Sequence, residues 1–123
     1  YRVLGQNPFV LNIGRSSKPL QKLYDEHGCR SAAFITAWNP FSQPTDDAEN
    51  SRLQALLETE LLAVSTALFA GMGEDPSGQW PGENSTLALG LSLTSAKSIG
   101  TRFKQNAFVW IDRDATPELL ILR

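Results

Sequence analysis

Glu83 and Asp75 are the carboxylates best placed for chemistry in this sequence. Both stand in the stretch 71–85, GMGEDPSGQWPGENS, where Trp80 and Ser85 also lie among glycines and prolines. A run this long without regular structure is uncommon in a compact domain, and is often functional where it occurs. An aromatic ring and two carboxylates there fit a lid over a substrate, with Glu83 or Asp75 as general acid or base once burial raises its pKa. The alternative is structural: residues 75–78 form a turn, Trp80 plugs the core, and Glu83 accepts hydrogen bonds from loop amides.

Two further polar groups stand at the ends of expected elements. Thr36 and Asn39 close an apolar run, while Glu49 and Asn50 lie four and three positions before Leu53, on the inward face of a helix tip. Amide, hydroxyl and carboxylate would then meet beside the positive end of a helix, which favours a polar or anionic ligand. The same residues could equally cap backbone groups left open by a tight strand-to-helix turn. Gln105 and Asn106, just ahead of another apolar run, offer side-chain amides that suit a nucleobase, a sugar or the chain's own backbone.

Several familiar chemistries are excluded by the absence of their motifs. The sequence has no phosphate-loop lysine motif, no Gly-x-Ser-x-Gly elbow, no His-x-x-x-His and no cysteine pair for zinc. No metal site and no cofactor are indicated. His27 and Cys29 are too close in sequence to work as a pair from one element, and His27 suits a helix C-terminus. Gly71-Met72-Gly73 imitates a dinucleotide fingerprint, but no helix is expected to follow it.

With 123 residues, 41% of them hydrophobic, the chain is expected to form a single domain over 1–123. A 20% charged content and a net charge of -2 do not favour nucleic acid as a partner. Cys29 is the only cysteine, which excludes an internal disulfide and fits a reducing, cytoplasmic setting. No apolar run approaches the roughly 20 residues of a membrane span. Because the sequence opens at Tyr1, the lack of a leader carries little weight, and Asn84-Ser85-Thr86 is discounted as a glycosylation acceptor.

The elements that must position these side chains follow from periodicity and punctuation. Residues 1–4 and 9–13 read as a hairpin across a Gly, Asn and Pro turn. A helix opens at Lys18-Pro19, buries Leu20, Leu23 and Tyr24, and ends at Gly28. Residues 32–38 form an interior strand that Asn39-Pro40 terminates. Asp46 and Glu49 have capping-box spacing ahead of a helix over 47–62 with Leu53, Leu56, Leu57, Leu61 and Val64 as its buried stripe. Residues 66–70 and 86–93 read as strands, Gly90 marking a bulge or close approach. Thr94 or Ser95 caps a short helix to Phe103, and 107–111 and 118–122 make a closing hairpin. The fold class is α/β in the broad sense (α+β): a mixed sheet of about five to seven strands, three helices, and hairpins at both ends.

Taken together, Phe34-Ile35-Thr36-Ala37-Trp38-Asn39-Pro40, Glu49-Asn50 with Arg52, Gly73, Asp75, Gly78, Trp80, Gly82-Glu83, Ser85, and Phe103 with Gln105-Asn106-Ala107 form a distinctive combination. It resembles the bacterial domain of unknown function 3293 family over nearly the whole chain. The sequence departs from that pattern at Asn84, where the family tends to have Pro, and at Lys104, where Gly is common. The resemblance implies a compact bacterial cytosolic domain and names no activity, substrate or cofactor. It also implies that the polar groups belong together, with Arg52 added to the ligand-binding set.

Two functions follow as expectations. One is a polar pocket for a small metabolite or nucleotide-like ligand, an enzyme if Glu83 or Asp75 acts as acid or base, with Thr36, Asn39, Glu49, Asn50, Arg52, Trp80, Ser85, Gln105 and Asn106 holding the ligand. The other is a non-catalytic interaction or regulatory domain in which the same residues keep loops rigid.

Overall fold

The computed structural model describes residues 1–74 and 82–123. Seven strands form one sheet in the order β2-β1-β4-β5-β3-β6-β7. In chain order these are β1 (Arg2–Val3), β2 (Phe9–Val10), β3 (Ala32–Ile35), β4 (Ala67–Gly73), β5 (Glu83–Leu89), β6 (Ala107–Ile111) and β7 (Pro117–Ile121). The helices are α1 (Lys18–His27), α2 (Asp47–Val64) and α3 (Leu93–Arg102), with a 3-10 turn at Pro40–Ser42. The α+β class, the three helices and the terminal hairpins match the sequence expectations.

Strand β3 is buried at all four positions because helices cover both faces of the sheet. Successive side chains of a strand alternate between faces. Ala33 and Ile35 meet Leu57 and Leu61 of α2 with Ile99 of α3, while Ala32 and Phe34 meet Leu20 and Tyr24 of α1. An apolar run without polar alternation is what a strand covered on both sides requires. The Tyr24 hydroxyl donates to the Ile111 and Asp112 carbonyls at 3.1 and 3.2 Å, which locks α1 to the end of β6.

The sheet is not mixed as expected: every strand pairing among the described residues is antiparallel. Helix α2 links β3 to β4 and α3 links β5 to β6, yet β5 lies between β3 and β4, and β3 lies between β5 and β6. Each helical crossover therefore joins parallel strands that are not neighbours, and the gap is filled by a strand of opposite direction. The segment β3-α2-β4-β5-α3-β6 has the split order of the ferredoxin-like β-α-β-β-α-β arrangement.

Four local expectations change. Strand β3 stops at Ile35, short of Trp38, because the Thr36 hydroxyl donates to the Asn84 carbonyl at 2.6 Å and accepts from the Trp38 amide at 2.9 Å. Side-chain bonds of this kind replace a strand ladder. Strands β4 and β5 extend into the stretch read as loop, pairing Gly71 with Ser85 and Gly73 with Glu83. Gly71 is there for packing and not for a turn, since a Cβ would lie 2.5 Å from the Phe34 ring. Strand β5 ends at Leu89 instead of running to Leu93, and Gly90 turns the chain at φ +83, so Ser92 caps α3 where Thr94 or Ser95 was expected. On α2, Leu57 and Leu61 are fully buried and Leu53 partly, but Leu56 is 46% exposed and Val64 39% exposed. No helix among the described residues is long and apolar enough to cross a membrane.

Candidate functional site

The inward stripe of α2 is polar in its first half. Asn50 and Gln54 are buried one turn apart and continue the row of Leu57 and Leu61. A buried side-chain amide must find partners for both its donor and its acceptor. Asn50 accepts from the Asn39 amide N–H at 2.8 Å and donates to Asn39 Oδ1 at 2.8 Å and the Thr45 carbonyl at 3.0 Å. Asn39 Oδ1 also accepts from the Thr45 amide at 3.1 Å. These bonds clamp both ends of the segment 39–45 onto the start of α2.

Gln54 does similar work one turn later. Its Oε1 accepts from the Ala37 amide at 2.9 Å and its Nε2 donates to Thr86 Oγ1 at 3.0 Å, joining the exit of β3 to β5. Neither Gln54 nor Thr86 was singled out by sequence. The signal was present in the spacing of Asn50, Gln54, Leu57 and Leu61, which places the glutamine on the buried row.

Asn39 also donates through Nδ2 to Glu83 Oε2 at 3.2 Å. Glu83 opens β5 and is about half buried, and desolvation pushes its carboxyl pKa up while the Asn39 bond works against that shift. Asn39, Asn50 and Glu83 thus meet, although 44 residues separate Asn39 from Glu83. Gln105 donates to the Trp38 carbonyl at 3.3 Å, and Asn106 donates to Ser42 Oγ at 2.9 Å. Both therefore attach to the same segment. Thr36 holds the Asn84 carbonyl beside it.

The backbone of this segment is unusual. Asn39, Phe41 and Ser42 have φ of 48, 53 and 60, and Lys104, whose carbonyl accepts from the Phe41 amide at 2.6 Å, has φ of 58. The left-handed region is uncommon for non-glycine residues and a real outlier for a ring as large as Phe41. Such conformations persist only where the surroundings over-determine them. Here the Asn50 clamp, the Lys104 carbonyl and the Asn106 amide hold them, and the Arg123 guanidinium lies 4.1 Å from the centre of the Phe41 ring.

Glu49, Arg52 and Ser85 are placed otherwise than expected. Glu49 does not point inward: its carboxylate sits on the surface in a two-pronged pair with Arg52, whose Nε donates at 2.9 Å. That guanidinium holds the Glu49 pKa below the usual range. Helical geometry gives the reason, because Asn50 occupies the buried row and Glu49 lies about 100° away from it around the axis. The capping box is accordingly half made, with Asp46 accepting from the Glu49 amide at 2.8 Å but Glu49 turned to Arg52. Ser85 is buried and donates to the Glu83 carbonyl at 3.0 Å, within its own strand. Asp75 and Trp80 lie outside the described residues.

Among the described residues no group of histidine, cysteine and carboxylate side chains is suited to a metal. Two surface cavities, of about 730 and about 370 Å³, lie elsewhere and include none of the Asn39, Asn50 and Glu83 side chains. A family model described as a protein of unknown function (DUF3293) matches residues 35–108. The chain belongs to the DUF3293 family. No curated protein and no solved structure matches it.

The DUF3293 match runs from the last residue of β3 into β6 and contains the whole Asn39, Asn50, Gln54 and Glu83 network. Lys104 occupies a left-handed conformation that glycine adopts without strain. Lys104→Gly is expected to raise stability by up to about 1 kcal/mol, relief of strain outweighing the added freedom of the unfolded chain. A lowered urea midpoint would show instead that the Lys104 side chain stabilises the fold.

Proposed function

We propose that the segment 38–45 and Glu83 form the binding site of this DUF3293 protein for a small polar metabolite or nucleotide-like ligand, with Glu83 as its acid or base. The observation that carries this reading is the Asn39 to Glu83 contact, which sets a half-buried carboxyl against a backbone segment held in three left-handed conformations. Strain and a perturbed carboxyl together are typical of sites that position a reacting or bound group. Asn39 orients Glu83, Asn50 and Gln54 hold Asn39 and Ala37, and Gln105 and Asn106 tie down the segment at Trp38 and Ser42. Asp75 is the second carboxylate to be tested by substitution. The lone Cys29 suits a cytoplasmic setting.

A second reading is a non-catalytic interaction domain. What favours it is that Asn39, Asn50 and Gln54 spend their hydrogen bonds on the protein's own groups. Glu83→Gln separates the two. A thermal-shift screen against a metabolite library supplies the ligand, since one present at 100 times its Kd adds about 2.7 kcal/mol. For a site carboxyl, Glu83→Gln leaves stability at neutral pH unchanged or slightly higher and removes the ligand response. A loss of about 1–3 kcal/mol with the response intact would make Glu83 a structural clamp and put the interaction domain ahead.

Glu83 also predicts a pH dependence. Its pKa is higher folded than unfolded, so the folded state holds the proton more tightly. Its contribution to stability is therefore full below the ordinary carboxylate range and declines as pH rises through the raised folded value. Across that interval the urea midpoint of the wild type should fall relative to that of Glu83→Gln, which lacks this component of the slope. Identical slopes for the two proteins would contradict the assignment.

A further inference from the structure

On the α1 side of the sheet, away from the Asn39 network, lies a cavity of about 730 Å³ between the β1–β2 hairpin, α1 and β4. We infer that this cavity binds a small amphipathic acid, an aliphatic or aromatic carboxylate whose apolar body enters the cavity and whose anion meets Lys18 and Lys22. The volume lies within the range of small-molecule sites. The walls are apolar: Leu4, Phe9, Leu23 and Phe69 converge there, and none of the four is fully buried. An apolar ligand would remove water from side chains that the fold itself leaves partly wet.

The rim sets the charge of the occupant. Lys18 and Lys22 are four residues apart on α1, hence on one face, and both line the cavity. Among the described residues Glu26 is the only carboxylate lining it, and it meets Lys22 at 3.9 Å, too far for a hydrogen bond. The described lining therefore carries two ammonium groups against one carboxylate. A neutral apolar ligand would leave that surplus unused, and a cationic one would be repelled.

The hairpin wall is anchored by Val3 and Leu11, which are buried in the core, while Leu4 and Val10 stay exposed. It joins β4 through two residue pairs, the Leu4 amide bond to the Ala70 carbonyl at 2.9 Å and the exposed Arg2–Glu74 pair at 3.2 Å. The flanking turn from Gly5 to Pro8 lines the cavity mouth. A hairpin with two-residue strands is marginal alone, and its packing against the ligand would add to its stability.

The test uses the full chain and titration calorimetry with decanoate, decanol and decylammonium as probes. Decanoate should bind one to one and more tightly than decylammonium, with amide chemical-shift changes centred on residues 4–9 and 18–27. The double variant Lys18→Glu, Lys22→Glu should weaken decanoate about fivefold or more, since two attractions become repulsions, and leave decanol binding unchanged. Equal loss of decanol would mean that the lysines only hold the cavity walls, and the inference fails. No decanoate binding, or decylammonium binding as tightly, overturns it as well. Binding to phosphatidylglycerol vesicles without binding to free decanoate would assign the basic rim to a membrane surface and also refute it.

Discussion

Asn50→Ala is expected to lower the unfolding free energy by about 2–4 kcal/mol. Asn50 is fully buried and makes three hydrogen bonds, to the Asn39 amide, the Asn39 side chain and the Thr45 carbonyl. Removing it strands these partners in a partly buried place. Each unsatisfied group costs about 1–3 kcal/mol, and a network loses less than the sum because the segment relaxes. The left-handed conformations at Asn39, Phe41 and Ser42 should relax with it, so the Asn39 contact to Glu83 is lost too. Asn50→Asp makes the electrostatic part visible: it sets a carboxylate oxygen against Asn39 Oδ1 and the Thr45 carbonyl, both acceptors. Its deficit should grow as pH rises past the ordinary carboxylate range. Urea unfolding of the three proteins at acid and neutral pH measures this, and a midpoint for Asn50→Ala equal to wild type would mean that the clamp contributes nothing.

Leu57→Ala should cost as much or more, about 2–5 kcal/mol, through a different mechanism. Leu57 is fully buried in the cluster where α2 meets β3 and α3. Its truncation removes apolar contact and leaves a cavity that three packed elements cannot close. That is a large fraction of the roughly 5–15 kcal/mol by which a domain is usually stable. The loss should appear as a lower urea midpoint at constant slope, and Leu56→Ala on the exposed side of the same helix should change it by less than about 0.5 kcal/mol. Equal effects at the two positions would contradict the packing of α2.

Much of the fold was legible because local rules and tertiary needs agree. Lys18-Pro19 and Gly28 bound α1 as their backbone preferences require, with Gly28 at φ +63. Asp46 caps α2, and the apolar run 32–35 is an interior strand. The meeting of Asn39, Asn50 and Glu83 was also readable in outline, because polar residues at the ends of adjacent buried elements must share the few partners available there.

The tertiary structure decided the rest, because those outcomes depend on which strands become neighbours and on what stands across a gap. The sequence determined that helices link strands, but the insertion of β5 and β3 into the two crossovers made every described pairing antiparallel. Gly71 and Gly73 carry the composition of a loop, yet they are strand residues, Gly71 because Phe34 fills the space its side chain would need. The spacing of Gln54 puts it on the buried row of α2, but only the fold sets its partners, Thr86 and the Ala37 amide, against it. Glu49 looks like a partner of Asn50, but neighbours on a helix point about 100° apart, so one carries the buried clamp and the other pairs with Arg52 in water.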